Sequence, residues 1–435
     1  MRIPLRIIVP VALATACAGV LIAFLWWQLT QSTMILNNPT AITNETNLIP
    51  TQISDLPIDP RDQALVYLRQ GDLFALRGEW KDAQEEYEKA VKADGGLPAL
   101  RKLAQAQLQR RDAFGARGTL RELKQAGARP EDLLLLESIL ELRSGELIKA
   151  RAILEGATDS PQKHYGSALL SIIEGDHTNA QEELTQVING WEPILRSYAR
   201  TLQGAYDEFT LFPEGSNLHL ITLLSRALAQ VQECELALPL LVQVTNTQNE
   251  YRDAWIVQGY CELVTERPEE ALASLEQAYN LDPQKPEIQY FLARAYAALD
   301  QYQNAITFLE YALVNGFEPQ SEVRRLIATQ ALESGNALLA LEQYEELTSE
   351  EDATFDLFEG FITASLALGN SEEAYLKAKE AIERWPENAQ AHELLGWAAL
   401  ETDRIEEARL AFKKALSINP ELKSAQEKLD SITEE

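Results

Sequence analysis

Residues 389–420 read AQAHELLGWAALETDRIEEARLAFKKALSINP, and this stretch decides how the chain folds. Its first part places apolar or small residues at Leu394, Leu395, Gly396, Ala398, Ala399 and Leu400, which predicts a helix. Thr402-Asp403-Arg404 interrupts the pattern and predicts a turn. A second helix follows, with Ile405, Ala408, Leu410, Ala411, Phe412, Ala415 and Leu416 set among charges at helical spacing. It stops at Asn419-Pro420, because proline cannot continue a helix. Gly396 and Ala408 have almost no side chain, so the two backbones can approach closely, and Phe412, one turn after Ala408, fills the space beyond the contact. Such a hairpin buries one face internally and leaves another apolar face open, so it needs a neighbour built the same way.

The same order recurs along the chain. Alanines equivalent to Ala408 stand at Ala83, Ala116, Ala150, Ala180, Ala237, Ala271, Ala305, Ala340 and Ala374. Twelve residues before the ten anchors come Gly71, Ala104, Ser138, Ala168, Ser225, Gly259, Ala293, Ala328, Ile362 and Gly396, all small except Ile362. Four residues after them come Tyr87, Leu120, Leu154, Leu184, Leu241, Leu275, Leu309, Tyr344, Ala378 and Phe412. This succession of small residue, turn, alanine, aromatic and proline resembles the tetratricopeptide repeat, a helix-turn-helix unit with a period of about 34 residues. The resemblance is plainest for the repeats ending at Pro283, Pro386 and Pro420 and weakest around Ala150 and Ala180. It implies an all-α fold, a right-handed α-α superhelix or solenoid, to which the sequence ahead of the repeats adds an N-terminal transmembrane helix.

The expected organisation follows from the columns and from what lies outside them. Residues 1–6 form a cytoplasmic stub. Residues 7–27 carry no charge over a length of about 31 Å of helix, enough to cross a bilayer core. Arg2 and Arg6 precede this run and the next basic residue is Arg61, so the positive-inside rule places the repeats outside the cytoplasm, on the periplasmic or extracellular side. A signal peptide cleaved at Ala14-Thr15-Ala16, or a lipoprotein signal ending at Cys17, fits less well, because ten more apolar or small residues follow Cys17. Residues 28–61, rich in Thr, Asn, Gln and Pro, form a flexible tether. An N-terminal block of four repeats spans 62–190 and a C-terminal block of six spans 218–420. Between them, residues 191–217 break the period, as a half-repeat plus loop or as a repeat that has lost its second helix. Phe209 and Phe212 in that loop are candidate partner contacts. Residues 421–435 form a capping helix and tail.

Composition restricts function. Lysine plus arginine number 38 against 67 acids, a net charge of −29, which argues against nucleic acid as a partner. The repeats leave no segment for a catalytic domain, and there is no phosphate loop, GxSxG or CxxC. The four histidines stand at no metal-ligand spacing. The chain is therefore expected to be no enzyme, with no cofactor and no metal.

The resemblance further implies a concave groove, lined by first helices, that takes an extended peptide or a partner helix. Counting from the anchors places Arg226, Tyr260, Tyr290, Arg294 and Arg325 on it. Two readings stay open for these residues: contacts to a carboxylate-bearing partner, or internal pairing with acids such as Asp253, Glu287 and Glu322. Cys234 and Cys261 fall on elements that pack antiparallel in this architecture, so they are either a disulfide in an oxidising compartment or two buried thiols. The resulting expectation is a membrane-anchored scaffold or adaptor for other proteins. The alternatives are an accessory subunit of a membrane complex and, behind it, an enzyme built on a solenoid.

Overall fold

The computed structural model describes residues 60–212 and 214–433, with side chains from 63 to 432. The stub at 1–6, the span at 7–27 and nearly all of the tether at 28–61 lie outside the described residues. Among the described residues there are helices only, and none is long and apolar enough to cross a membrane.

Ten hairpins are formed, α1 (Pro60–Arg77) with α2 (Trp80–Lys92), α3 (Gly96–Gln109) with α4 (Ala113–Gln125), α5 (Pro130–Arg143) with α6 (Leu147–Glu155), and α7 (Pro161–Glu174) with α8 (His177–Asn189). Then α9 (Pro193–Thr210) stands without a second helix. After it come α10 (Asn217–Gln230) with α11 (Cys234–Thr247), α12 (Arg252–Val264) with α13 (Pro268–Leu281), and α14 (Pro286–Ala298) with α15 (Tyr302–Val314). The array is completed by α16 (Gln320–Glu333) with α17 (Ala337–Thr348), α18 (Phe355–Ala367) with α19 (Ser371–Arg384), α20 (Ala389–Leu400) with α21 (Ile405–Ile418), and the single α22 (Lys423–Thr433). Each helix packs on the next, and first helices of successive hairpins also touch, so the core is one row of seams rather than a central ball.

All ten anchor alanines are completely buried, and the residues four places later are 6% exposed or less. The reason for the small column is steric. A Cβ on Gly396 would stand 2.6 Å from the Phe412 ring, and one on Gly259 would stand 2.4 Å from Leu275. Ile362 departs from that column because its partner is Ala378: the large and small residues have changed places, and both are fully buried in one cluster.

The turns repeat as strictly as the seams. Five residues before every anchor the backbone enters the left-handed region, at Gly78, Gly145, Gly175, Gly335 and Gly369 but also at Arg111, Gln232, Glu266, Asp300 and Asp403. The following amide closes a six-residue bond back to the first helix at every turn, as from Glu233 to Leu228 at 2.8 Å and from Arg404 to Ala399 at 2.8 Å. Half of these turns thus hold a residue with a Cβ where glycine would be unstrained.

The irregular segment expected at 191–217 is more ordered than its sequence suggested. Helix α9 runs 18 residues to Thr210, so Phe209 is helical rather than in a loop. It packs on α7 and α8 as a first helix would, then directly on α10. Leu195, Ala199, Leu202, Ala205 and Tyr206 form its buried face. At the other end, Ala425 and Ile432 of α22 are buried against the last hairpin.

Candidate functional site

First helices α3, α5, α7 and α9 line a groove of about 630 Å³. Helical spacing brings Arg101, Gln105 and Leu108 of α3 to one face, Leu135, Leu136, Ile139 and Arg143 of α5 to the next, then Gln162 and Tyr165 of α7, and Ile194, Leu195 and Tyr198 of α9. The wall mixes apolar side chains with charged ones: Arg101 pairs with Asp132 at 3.2 Å, and Glu131, Glu192, Arg143 and Glu233 also line the groove. Tyr165 is 2% exposed, with its ring 6.1 Å from that of Tyr198, and its hydroxyl has no hydrogen-bond partner. Burial, reinforced by the charge of Glu233, holds this phenol protonated far above its ordinary range, so it stays a donor.

The groove is closed at one side by a contact between hairpins that are not neighbours. The turn before α11 reaches back to α5, where Arg143 Nε and Nη2 donate to the two carboxylate oxygens of Glu233 at 2.8 and 3.1 Å. Arg143 also donates to the carbonyls of Leu108, at 2.9 Å, and Gln232, at 3.2 Å. Both charged side chains are more than nine-tenths buried. Burial is the largest single effect and would lower the guanidinium, but the charge and hydrogen bonds of Glu233, together with the charge of Glu235, outweigh it and Arg143 is raised. Burial pushes the Glu233 carboxyl up, and Arg143 only partly reverses this. Two residues on, Glu235 pairs with Arg111 at 3.0 Å, so one turn clasps two earlier hairpins.

The residues expected from the sequence fall elsewhere. Tyr260, Tyr290, Arg294 and Arg325 lie together along α12, α14 and α16. Tyr260 packs on Phe291 at 5.4 Å, and Tyr290 stacks on Phe317 at 4.3 Å with Arg294 over its ring at 5.9 Å. Arg325 pairs with Glu322 at 3.0 Å, and Arg226 pairs with Glu208 of α9. Tyr290 is only 9% exposed, so the set is tied largely to itself. Phe209 and Phe212 fold onto His219, with ring separations of 6.1 and 5.2 Å. Sequence reasoning passed over Tyr165, Arg143 and Glu233, because each looks ordinary in its own repeat.

Cys234 and Cys261 are free, fully buried thiols. Burial and the neighbouring Cys234 thiol push Cys261 well above its usual range. Peptide mapping of unreduced protein is expected to recover both as free thiols; a linked Cys234–Cys261 peptide would show the disulfide instead.

The fold is that of an all-helical repeat protein. Tetratricopeptide repeat family models match residues 222–286, 265–329 and 361–422, and over these segments the repeats are tetratricopeptide repeats. No curated protein sequence matches the chain. Among solved structures it is similar to YrrB, described as a TPR protein with an unusual peptide-binding site, at 20% identity and a TM-score of 0.40, covering 43% of this chain and 96% of that one. It is also similar to a tetratricopeptide repeat protein from Parabacteroides merdae, at 18% identity and a TM-score of 0.34, covering 63% and 98%. A third likeness is to yeast Tom70, at 13% identity and a TM-score of 0.33, covering 85% and 95%.

Proposed function

We propose that the protein is a scaffold that holds a segment of another protein in the groove between α3 and α9. The observation that carries this is the buried Tyr165 hydroxyl, a donor without an acceptor at the wall of a groove that is apolar in part and large enough for several side chains. A bound segment that presents a carbonyl there would satisfy it, while Leu135, Leu136, Ile139 and Ile194 take apolar anchors. The uncharged run at 7–27 supports anchoring to a membrane, with the repeats outside the cytoplasm.

A photoreactive residue in place of Gln105, inside the groove, is expected to give one protein adduct in cells. The same residue in place of Ile148, which is 87% exposed and outside the groove lining, is expected to give none. Ile194→Asp is expected to abolish the adduct, and removal of residues 1–27 to move it from the membrane fraction to the soluble one. Equal adducts from both positions, unaffected by Ile194→Asp, would remove the proposal.

A further inference from the structure

A second cleft, of about 590 Å³, adjoins the Arg143 pair, between the end of α5, helix α11 and the end of α12. Its apolar wall is Leu108, Leu140, Leu238, Pro239 and Val242. Glu262 also lines it and is 5% exposed. That carboxylate is held by a buried network: Gln258 Nε2 donates to Glu262 Oε1 at 2.9 Å and to Ser274 at 3.1 Å, and Thr245 donates to Gln258 at 3.0 Å. The other oxygen, Oε2, has no donor, and neither does Oε2 of Glu235 in the same cleft. Pro239 has no N–H to offer the Glu235 carbonyl one helical turn back. The unmet groups inside the cleft are therefore mainly acceptors. The cations inside are already ion-paired, Arg143 with Glu233 and Arg111 with Glu235, although Arg111 Nε makes no hydrogen bond. Arg267, which is exposed, donates twice to Thr265 at 3.1 Å and has no ion pair among the described residues.

One uncompensated anion is thus buried in the cleft, one uncompensated cation stands on its exposed lining, and an apolar wall completes it. We infer that the cleft binds an aliphatic ligand carrying an ammonium at one end and a carboxylate at the other. The ammonium, which has three donors, bonds to Glu262 and Glu235. The chain lies along Leu238 and Val242, and the carboxylate meets Arg267. Such a ligand is either a free ω-amino acid or the lysine at the C-terminus of a polypeptide.

Titration calorimetry on the full chain tests this with 5-aminopentanoate, pentylammonium and pentanoate. Binding is expected in that order of strength, with pentanoate showing none. Glu262→Gln, which keeps the acceptor for Gln258, is expected to weaken 5-aminopentanoate about tenfold or more. Arg267→Ala, a surface change that leaves the core intact, is expected to reduce 5-aminopentanoate to the level of pentylammonium. Tighter binding of N-acetylglycyl-lysine with a free carboxylate than of 5-aminopentanoate assigns a polypeptide terminus, and the reverse assigns a free small molecule. Unchanged binding in folded Glu262→Gln, pentanoate binding as well as 5-aminopentanoate, or no binding of any probe at millimolar concentration would overturn the inference.

Discussion

Arg143→Met is expected to destabilise the protein by about 3–5 kcal/mol, because it leaves Glu233 buried without its counter-charge. Both partners are nearly fully enclosed, so solvent screening does little to soften the loss. Replacing the pair together, Arg143→Met with Glu233→Leu, is expected to recover most of the stability, since an apolar pair of similar volume avoids the desolvation of both charges. The pH dependence has a definite sign. A carboxyl whose folded value lies above its unfolded one contributes stability below the unfolded value and loses it as pH rises through the folded value. Burial already raises Glu233 in the wild type, and loss of Arg143 removes the main effect opposing that rise. The deficit of Arg143→Met should therefore be smaller near about pH 5 than near about pH 7.5. Urea unfolding, with amide exchange at residues 228–235 as the local measure, gives both quantities. A deficit that is constant with pH, or equal to that of the double variant, would show that the pair does not hold the contact.

Phe412→Ala is expected to cost about 3–5 kcal/mol, because the ring is fully buried and its contacts with Gly396 and Trp397 form the middle of the last seam. In an array coupled mainly through neighbours the damage should stay local. Amides of α20 to α22 are expected to lose protection while those of α3 to α8 keep theirs. The Ile362 and Ala378 pair suggests the repair: Gly396→Leu added to Phe412→Ala refills the seam from the opposite helix and should recover part of the loss. Gly396→Leu alone should be destabilising, since its Cβ has no room beside the ring. Loss of protection spread evenly over the chain would contradict a neighbour-coupled array.

Much of the fold was legible because a seam between two helices fixes residue size at fixed offsets. Once Gly396, Ala408 and Phe412 were placed, the remaining hairpins could be counted, including the weak ones at Ala150 and Ala180. The turn position could also be counted, although only half of its occupants are glycine; at Arg111 and Gln232 the repeat imposes a backbone conformation that the residue type does not advertise. Helix α9 was only partly legible, since a lone helix lacks the second-helix columns that identify a repeat. A groove lined by first helices was expected from the resemblance, but its place between α3 and α9 and its closure were not legible. Arg143 is a basic residue in the last turn of a helix and Glu233 an acid just before one, each where helix electrostatics alone would put it. They meet across 90 residues, between hairpins that are not neighbours, and no local spacing encodes that.

The unpaired α9 has a consequence for how the molecule resists force. A strict array pulled from its ends peels one hairpin at a time, each step having little to do with hairpins further along. Here the Arg143 and Glu233 contact shorts the path between the third hairpin and the fifth, so tension entering from either terminus bypasses α6 to α10 until that contact gives way. The helices enclosed by the shortcut form a shielded loop, and they would extend together in one long event rather than in sequence.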